Sequence, residues 1–427
     1  MISEPKNEKI GILVGGGPAP GINGVIHSVT IEAINNGLEV VGIYNGFQHL
    51  MQGELVSRPL VINDISRIHL DGGSILHTSR ANPTKDDTAL ANCVRALIGE
   101  GIRNLVVIGG DDTAYSAYRV SRYAEEHLGV TIKTAHVPKT IDNDLPLPEE
   151  ICTFGYETAR EVGSHIVMNL MEDALTGERW FLVVTMGRKA GHLALGIGKS
   201  SGATLTLIPE EWAGREIRLQ EVVDILATSI IKRLAQGKPY GVALVAEGVV
   251  AQMSHADLEV LDNVERDAHG HIRLSEIKFS DIVKKAVRKD LHNLGIDTRI
   301  ISKDLGYELR CAPPIAFDVD YTRSLGEAAV DFLMQGGTNA TITIQRNQVV
   351  PIPFEDMMDP ETGRTEVRQV NIDSFIYRSA YKFMIRLKPQ DAEDDMLLAQ
   401  MAAQTNLTLE DFKARYGYLV GIAPRPF

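Results

Sequence analysis

The sequence predicts an α/β protein of two domains built on mostly parallel sheets. Three observations carry that prediction. Apolar runs of strand length alternate with amphipathic stretches of helix length, which is the pattern of βαβ units. At 427 residues the chain exceeds the size at which a single hydrophobic core keeps growing. Turns rich in glycine and carboxylate follow directly on apolar runs, at the carboxyl ends of strands, where open α/β sheets bind ligands.

The elements follow in order. Residues 10–14 (Ile-Gly-Ile-Leu-Val) read as a strand, 21–36 as a helix and 39–44 as the next strand. Residues 89–101 are helical, and 105–108 form a strand ending in Gly109-Gly110. A helix over 116–127 and a strand over 131–137 complete the first set. A second set opens with a long helix at 154–175 and a strand at 180–185. A short helix at 191–200, a strand at 204–208, a helix at 219–236 and a strand at 240–246 continue it. A helix at 324–335 and a strand at 340–344 end the alternation, and the tail beyond 357 is loop-rich and then helical.

Bulk properties exclude several function classes. The chain is 44% hydrophobic and 23% charged, ordinary for a globular protein. Its net charge of −13, from 43 basic and 56 acidic residues, argues against general nucleic-acid binding. Phosphate substrates remain compatible, because they need only a local cluster of cations. The three cysteines (Cys93, Cys152, Cys311) lack paired spacing, which points to thiols in a reducing compartment. The N-terminus has no apolar targeting core, and no run approaches the roughly 18 apolar residues of a membrane span. A cytoplasmic protein without membrane contact is expected.

Three turns carry the candidate chemistry. The first is Gly15-Gly16-Gly17-Pro18-Ala19-Pro20-Gly21 between a strand and a helix. Glycines let a phosphate approach the backbone, and a helix N-terminus aims N–H groups at it. The second is Gly109-Gly110-Asp111-Asp112-Thr113, where Asp111 could reach a divalent cation and Thr113 could cap the helix. The third is Pro138-Lys139-Thr140-Ile141-Asp142-Asn143-Asp144. Carboxylates two residues apart on an extended segment point the same way, so they can hold a metal or take a proton from a hydroxyl. Singly, each turn also fits a tight turn, a capped helix start or a solvated acidic loop. Three of them in succession at strand ends are far more specific.

These turns, with Met186-Gly187-Arg188, resemble the 6-phosphofructokinases in order and approximate spacing, over residues from about 10 to 321. The resemblance implies the phosphofructokinase fold, with two Rossmann-like three-layer domains on mostly parallel sheets. A phosphoryl-donor domain would take residues 1–153 plus about 309–370. A sugar-phosphate domain with a helical C-terminal extension would take 154–308 plus about 371–427. The implied reaction is phosphoryl transfer to the 1-hydroxyl of fructose 6-phosphate. Asp142 matches the general base, and Thr140 and Asp144 match its positioning neighbours. Asp111 matches the magnesium-associated aspartate, so Mg2+ is the implied cofactor. Arg188 matches the arginine that steadies the moving phosphoryl charge or grips the sugar. Met186, Gly187 and Glu247 match sugar-binding positions, and Tyr307 and Arg310 match the residues that hold the 6-phosphate. Arg179 matches an arginine lent by a neighbouring subunit, which implies a homodimer or homotetramer with a shared sugar site. A second 6-phosphate cation has no clear match: Arg299 lies too far upstream, and Lys303 is the substitute candidate. His27 and Ile31 replace arginines that bind a nucleotide effector in bacterial ATP enzymes, so nucleotide allostery is expected to be weak.

The same resemblance separates phosphoryl donors. The ATP-dependent members typically carry glycine where this chain has Asp112 and Lys139, and both substitutions resemble the pyrophosphate-dependent branch. A carboxylate at 112 would repel the α-phosphate of ATP. Lys139 would add a mobile cation suited to a compact, highly charged donor. Gly17-Pro18, in place of a Gly-Asp pair, points the same way. Gly16, Gly17, Gly110 and Thr113 would line the donor site, with Arg80 and Lys85 as further cations. Pyrophosphate is therefore the expected donor. ATP-dependent phosphofructokinase activity and action on sedoheptulose 7-phosphate are the alternatives. A non-catalytic regulatory subunit is disfavoured, because Asp111, Asp142 and Asp144 are all present.

Overall fold

The computed structural model describes residues 8–422 apart from 213, 255, 258–277 and 360–364. The described strands, in chain order, are β1 (Lys9–Val14), β2 (Glu39–Ile43), β3 (Ser57–Leu60), β4 (Ile102–Gly109), β5 (Lys133–Pro138), β6 (Trp180–Thr185), β7 (Leu205–Leu207), β8 (Gly241–Ala246), β9 (Ile300–Leu305), β10 (Ala340–Gln345) and β11 (Gln348–Pro353). They fall into two compact units. Unit 1 is Met1–Ala159 with Tyr307–Arg368, and unit 2 is Arg160–Gly306 with Gln369–Phe427.

Among the described residues, unit 1 carries a seven-stranded sheet in the order β11-β10-β5-β4-β1-β2-β3. Its five inner strands are parallel, and β3 and β11 add antiparallel edges. Strands β1 and β4 are apolar on both faces, as expected where helices cover both sides of a parallel sheet, and β5 and β10 bury Thr134, His136, Thr341 and Thr343 on one face. Ile10, Ile12, Val14, Val106, Ile108, Ala135 and Val137 join one core with residues of helices Ile22–Asn35 and Ala316–Met334. Leu13, Leu105 and Val107 point to the other face, into a core with helices Asp87–Gly99 and Asp111–Leu128. The result is a three-layer α/β/α unit.

Strand order positions the candidate chemistry. The chain runs from β1 outward to β2, then returns to place β4 on the other side of β1. That reversal is a topological switch point, where the loops of an open sheet diverge and leave a crevice. The register levels the strand ends: Val14 pairs with Ile108, and Gly109 pairs with Pro138. The three turns therefore leave the sheet side by side.

Unit 2 carries a parallel sheet in the order β7-β8-β6-β9 among the described residues. Trp180, Leu182, Val184, Ala243 and Val245 pack with helices Leu219–Ala235 and Phe279–Asn293. The tail completes this core through Tyr377, Leu387, Met401, Phe412 and Tyr416. Among the described residues, no helix is long and apolar enough to cross a membrane.

Several boundaries differ from the sequence-based expectation. The helix expected at 116–127 begins at Asp111, directly after the Gly-Gly turn. The helix expected at 324–335 begins at Ala316, and its first turn contains Asp318, which is buried. The carboxylate of Asp318 accepts from the backbone N–H groups of Gly155 and Thr158 and from the Thr158 hydroxyl. Strands β3, β9 and β11 were not anticipated. All three are edge strands carrying proline or charged residues, the composition that keeps edges from pairing further and also hides them from pattern reading.

Candidate active site

The three turns of unit 1 form one interlocked structure. In the first, the Gly15 N–H donates to the Ile108 carbonyl at 2.9 Å and the Gly16 N–H to that of Ser79 at 2.8 Å. The Thr78 hydroxyl donates to the Gly16 carbonyl at 2.6 Å. These bonds bring the segment bearing Arg80 alongside the glycine turn. Gly16 has φ +82, in the left-handed region that favours glycine. A side chain at Gly15 or Gly109 would stand 2.3 or 2.4 Å from atoms of Thr113. Thr113 is thus a buried wedge between the first two turns. It does not cap the helix: the N-cap is Gly110, which has no side chain to give.

The second turn starts helix Asp111–Leu128 with two carboxylates in its first turn, where the helix dipole favours negative charge. The Asp112 N–H donates to Asp111 Oδ1 at 2.9 Å, and Asp112 itself is exposed. Beneath it, buried His136 lies 2.7 Å from the Gly109 carbonyl through Nε2 and 2.9 Å from Thr341 Oγ1 through Nδ1. A carbonyl only accepts, so Nε2 carries the proton and Nδ1 receives the threonine hydroxyl. Burial pushes the His136 pKa down to about 4, so the ring is neutral.

The third turn docks onto the other two. The Lys139 N–H donates to the same Gly109 carbonyl at 2.8 Å. Lys139 Nζ donates to the Gly17 carbonyl at 2.5 Å, with the side chain nearly enclosed. Lys139 is therefore a fixed, buried cation, not the mobile one expected from the sequence. Burial above all, with Arg310 and Arg80, lowers its pKa to about 8, against the opposing pull of Asp142 and Asp144. Beyond it, the Thr140 hydroxyl accepts from the Asp142 N–H at 3.0 Å. The Thr153 hydroxyl donates to the Thr140 carbonyl at 2.7 Å, and the Thr153 N–H donates to Asn143 Oδ1 at 3.0 Å.

Arg310 lies against the first turn in unit 1. Its Nε donates to the Pro18 carbonyl at 3.4 Å, and its Nη2 occupies the space a side chain at Gly17 would need. Gly17 is thus required by the arginine packed against it. Tyr307 is exposed, with its ring centroid 5.5 Å from the Arg310 guanidinium carbon. Lys85 is exposed on the short turn Pro83–Lys85.

In unit 2 the strand ends of β6, β8 and β9 are level, with Thr185 paired to both Ala246 and Leu305. Met186-Gly187-Arg188 leaves β6, and Glu247-Gly248 leaves β8. The Gly248 N–H donates to the Gly187 carbonyl at 2.9 Å, joining the two turns, and Gly187 has φ +121. Burial raises the Glu247 pKa, and neighbouring Arg188 opposes that rise. Arg188 is exposed. Arg179 faces Asp173 at 3.2 Å. Lys303 is half-buried on β9, and Arg299 is exposed before it.

Magnesium prefers oxygen ligands in octahedral geometry, usually one or two carboxylates completed by water and substrate phosphates. Among the described residues no cluster of three or more ligating side chains is present, so no all-protein cage exists. Asp111, presented at the end of β4 beside the third turn, fits the first kind of site and not the second.

Sequence reading missed Thr78, His136 and Thr153. Each bonds the backbone of a turn outside its own local segment, and isolated polar residues of that kind leave no motif. His27 is buried with Nδ1 3.0 Å from the Ile65 carbonyl, and Ile31 packs against the core.

Comparison with known proteins adds the following. The family model described as Phosphofructokinase matches residues 9–333. The pyrophosphate–fructose 6-phosphate 1-phosphotransferase of Thermotoga maritima is 49% identical over 415 residues, 96% of this chain and 98% of its own. The protein of that name from Naegleria fowleri is 49% identical over 430 residues, covering 98% of each. A crystal structure of the pyrophosphate-dependent phosphofructokinase from Marinobacter aquaeolei superposes with a TM-score of 0.66 at 18% identity, covering 98% of this chain and 93% of its own. At that identity the match speaks for the fold alone.

Proposed function

The chain belongs to the phosphofructokinase family, and from that premise we propose that it transfers a phosphoryl group from pyrophosphate to the 1-hydroxyl of fructose 6-phosphate. The products are fructose 1,6-bisphosphate and phosphate, and the reaction is reversible, serving glycolysis or gluconeogenesis. The observation that carries the choice of donor is Lys139, buried and bonded to the Gly17 carbonyl, beside Arg310 and Arg80. It places fixed positive charge inside the glycine turn, where a small, highly charged donor gains most. Near-full-length similarity to relatives named for pyrophosphate supports the same choice.

The chemistry follows from positions and charges. Asp142 takes the proton of the sugar 1-hydroxyl as that oxygen bonds to phosphorus. The bridging P–O bond of pyrophosphate breaks, and the departing phosphate keeps the electron pair. Phosphoryl transfer passes through a loose transition state, so positioning and charge neutralisation dominate. Lys139 and Arg310 set positive charge at the glycine turn that would receive the donor, and Thr140 and Asp144 set the geometry around Asp142. In unit 2, Arg188 and Met186 grip the sugar phosphate, and Glu247 accepts from sugar hydroxyls. Magnesium held by Asp111 and by oxygens of pyrophosphate would add charge neutralisation. The enzyme works in the cytoplasm as a homodimer or homotetramer, with Arg179 reaching a neighbouring sugar site. Because buried His27 and partly buried Ile31 stand where effector-binding arginines would be needed, nucleotide effectors leave its sugar affinity little changed.

Purified protein assayed with each donor tests this reading. Formation of fructose 1,6-bisphosphate from pyrophosphate, with little from ATP, is expected. Strong activity with ATP and none with pyrophosphate refutes the donor assignment.

A further inference from the structure

We propose that Arg368 is a positioning residue for the catalytic loop, fixing the directions of Asp142 and Asp144 by locking Asn143 between them. Arg368 lies more than 200 residues beyond that loop in sequence, outside the stretch matched by the family model.

Four observations support this assignment. Residues 139–154 run from β5 to helix Tyr156–Thr176 without regular structure, so their carbonyls have no ladder or helix to receive them. Arg368 supplies the donors. Its Nη1 donates to the carbonyls of Leu147, Pro148 and Ile151, at 3.2, 2.9 and 2.6 Å. Its Nη2 and Nε donate to the Asn143 carbonyl at 3.0 and 3.2 Å, and Nη2 also to Asn143 Oδ1. Its backbone N–H donates to the Asp144 carbonyl at 3.0 Å.

Second, Asn143 has φ 55, in the left-handed region that L residues rarely adopt. Such conformations are held where the surroundings over-determine them. Arg368 and the Thr153 N–H, both bonded to the Asn143 side chain, provide that determination. Third, Asn143 is the residue between the two carboxylates, so its backbone angles set where they point relative to one another. Fourth, Leu145, Leu147 and Ile151 pack with Met357, so the loop is anchored on its apolar side and Arg368 orders its polar side.

A guanidinium is suited to this task. Its planar fork offers five donors at fixed angles, and an ammonium offers three from a single point. Burial lowers the Arg368 pKa, and Asp144 is among the groups that oppose that shift, so the cation lies within electrostatic range of the carboxylate it positions.

The inference rests on the reading of Asp142 as the base, and its test separates the two. Arg368→Ala and Arg368→Lys are made in the full chain and compared with wild type. Because small displacements of reacting groups can cost on the order of 100-fold, kcat should fall about that much in both variants. KM for pyrophosphate and fructose 6-phosphate should stay within about threefold, since substrate contacts are untouched. Guanidinium ion should restore part of the rate to Arg368→Ala and none to Arg368→Lys. Amide exchange should quicken over residues 139–154 in both, with the rest of unit 1 protected as in wild type. Folded variants with wild-type kcat, or with raised KM and unchanged kcat, overturn the proposal. So does loss of protection spread evenly through unit 1. A wild-type chain inactive with pyrophosphate overturns the functional reading instead, and the exchange measurement still decides whether Arg368 holds the loop.

Discussion

The two units spend their charges differently. Unit 1 places Asp111, Asp142, Asp144 and Lys139 in the turns after its strands, with Arg310 against the first of those turns, all but Lys139 with some exposure. Unit 2 buries an ion pair almost completely: Arg386 donates to Glu211 at 2.6 Å, with side chains 1% and 0% exposed. Nearby, Lys232 meets Asp391 at 2.6 Å, and Glu210 accepts from the N–H groups of Gly191 and Val370. These groups fasten the tail to its unit, because Arg386, Asp391 and Val370 belong to it. The contrast separates charge left accessible beside the strand ends from charge sealed away, to specify how two segments meet.

Substitutions on each side test that contrast. The largest effect is expected at Asp142. Removing a general base costs about 100- to 10,000-fold in rate, so Asp142→Asn should lose that much kcat while its thermal unfolding midpoint stays put. A folded Asp142→Asn with near-normal turnover removes the base from the mechanism.

Glu211→Gln should behave oppositely. Breaking one partner of a buried ion pair costs about 3–5 kcal/mol, read as a lower denaturant midpoint, while kcat per folded molecule is kept. Replacing both partners by apolar residues of similar size should recover most of the loss. A single variant as stable as wild type would mean the pair does not fasten the tail.

Acid stability probes unit 1. His136 titrates near 4 when folded, against an ordinary value of about 6.5. Its depressed pKa means the folded state favours the neutral ring. That contribution is complete above about pH 6.5 and is lost as pH falls toward 4, up to about 3 kcal/mol. Denaturant unfolding from pH 7 to 4 should show a steeper decline in wild type than in His136→Asn. Equal slopes would mean the ring titrates normally.

The smallest effect concerns the donor. With Lys139 titrating near 8, kcat/KM for pyrophosphate should decline above that pH, approaching tenfold per pH unit. Lys139→Met should lack this limb and have a low value throughout. Asp112→Gly should gain measurable use of ATP. An unchanged alkaline limb in Lys139→Met would assign the titration to another group.

Much of unit 1 was legible in the sequence, for a physical reason. Parallel strands buried on both faces need continuous apolar runs, and the turns at their ends need glycine and carboxylate at short range. Those demands fall on neighbouring residues, so 10–14, 105–108 and 131–137 stood out, and so did the turns after them. Edge strands β3, β9 and β11 obey the opposite demand, a composition that discourages further pairing, and so resemble loops. The site was legible only as far as it was local. Asp111, Asp142 and the glycines are local features. The burial of Lys139, the contact of Arg310 with Gly17 and Pro18, the wedge of Thr113 and the grip of Arg368 on Asn143 each join segments distant in the chain.

By itself, then, the sequence determined the α/β class, the three turns and the kind of chemistry they support, because periodicity and turn residues act within a few positions. Tertiary structure alone decided that Lys139 is fixed and Asn143 is held left-handed. Burial and hydrogen bonding between remote segments set those properties, and no local pattern encodes them.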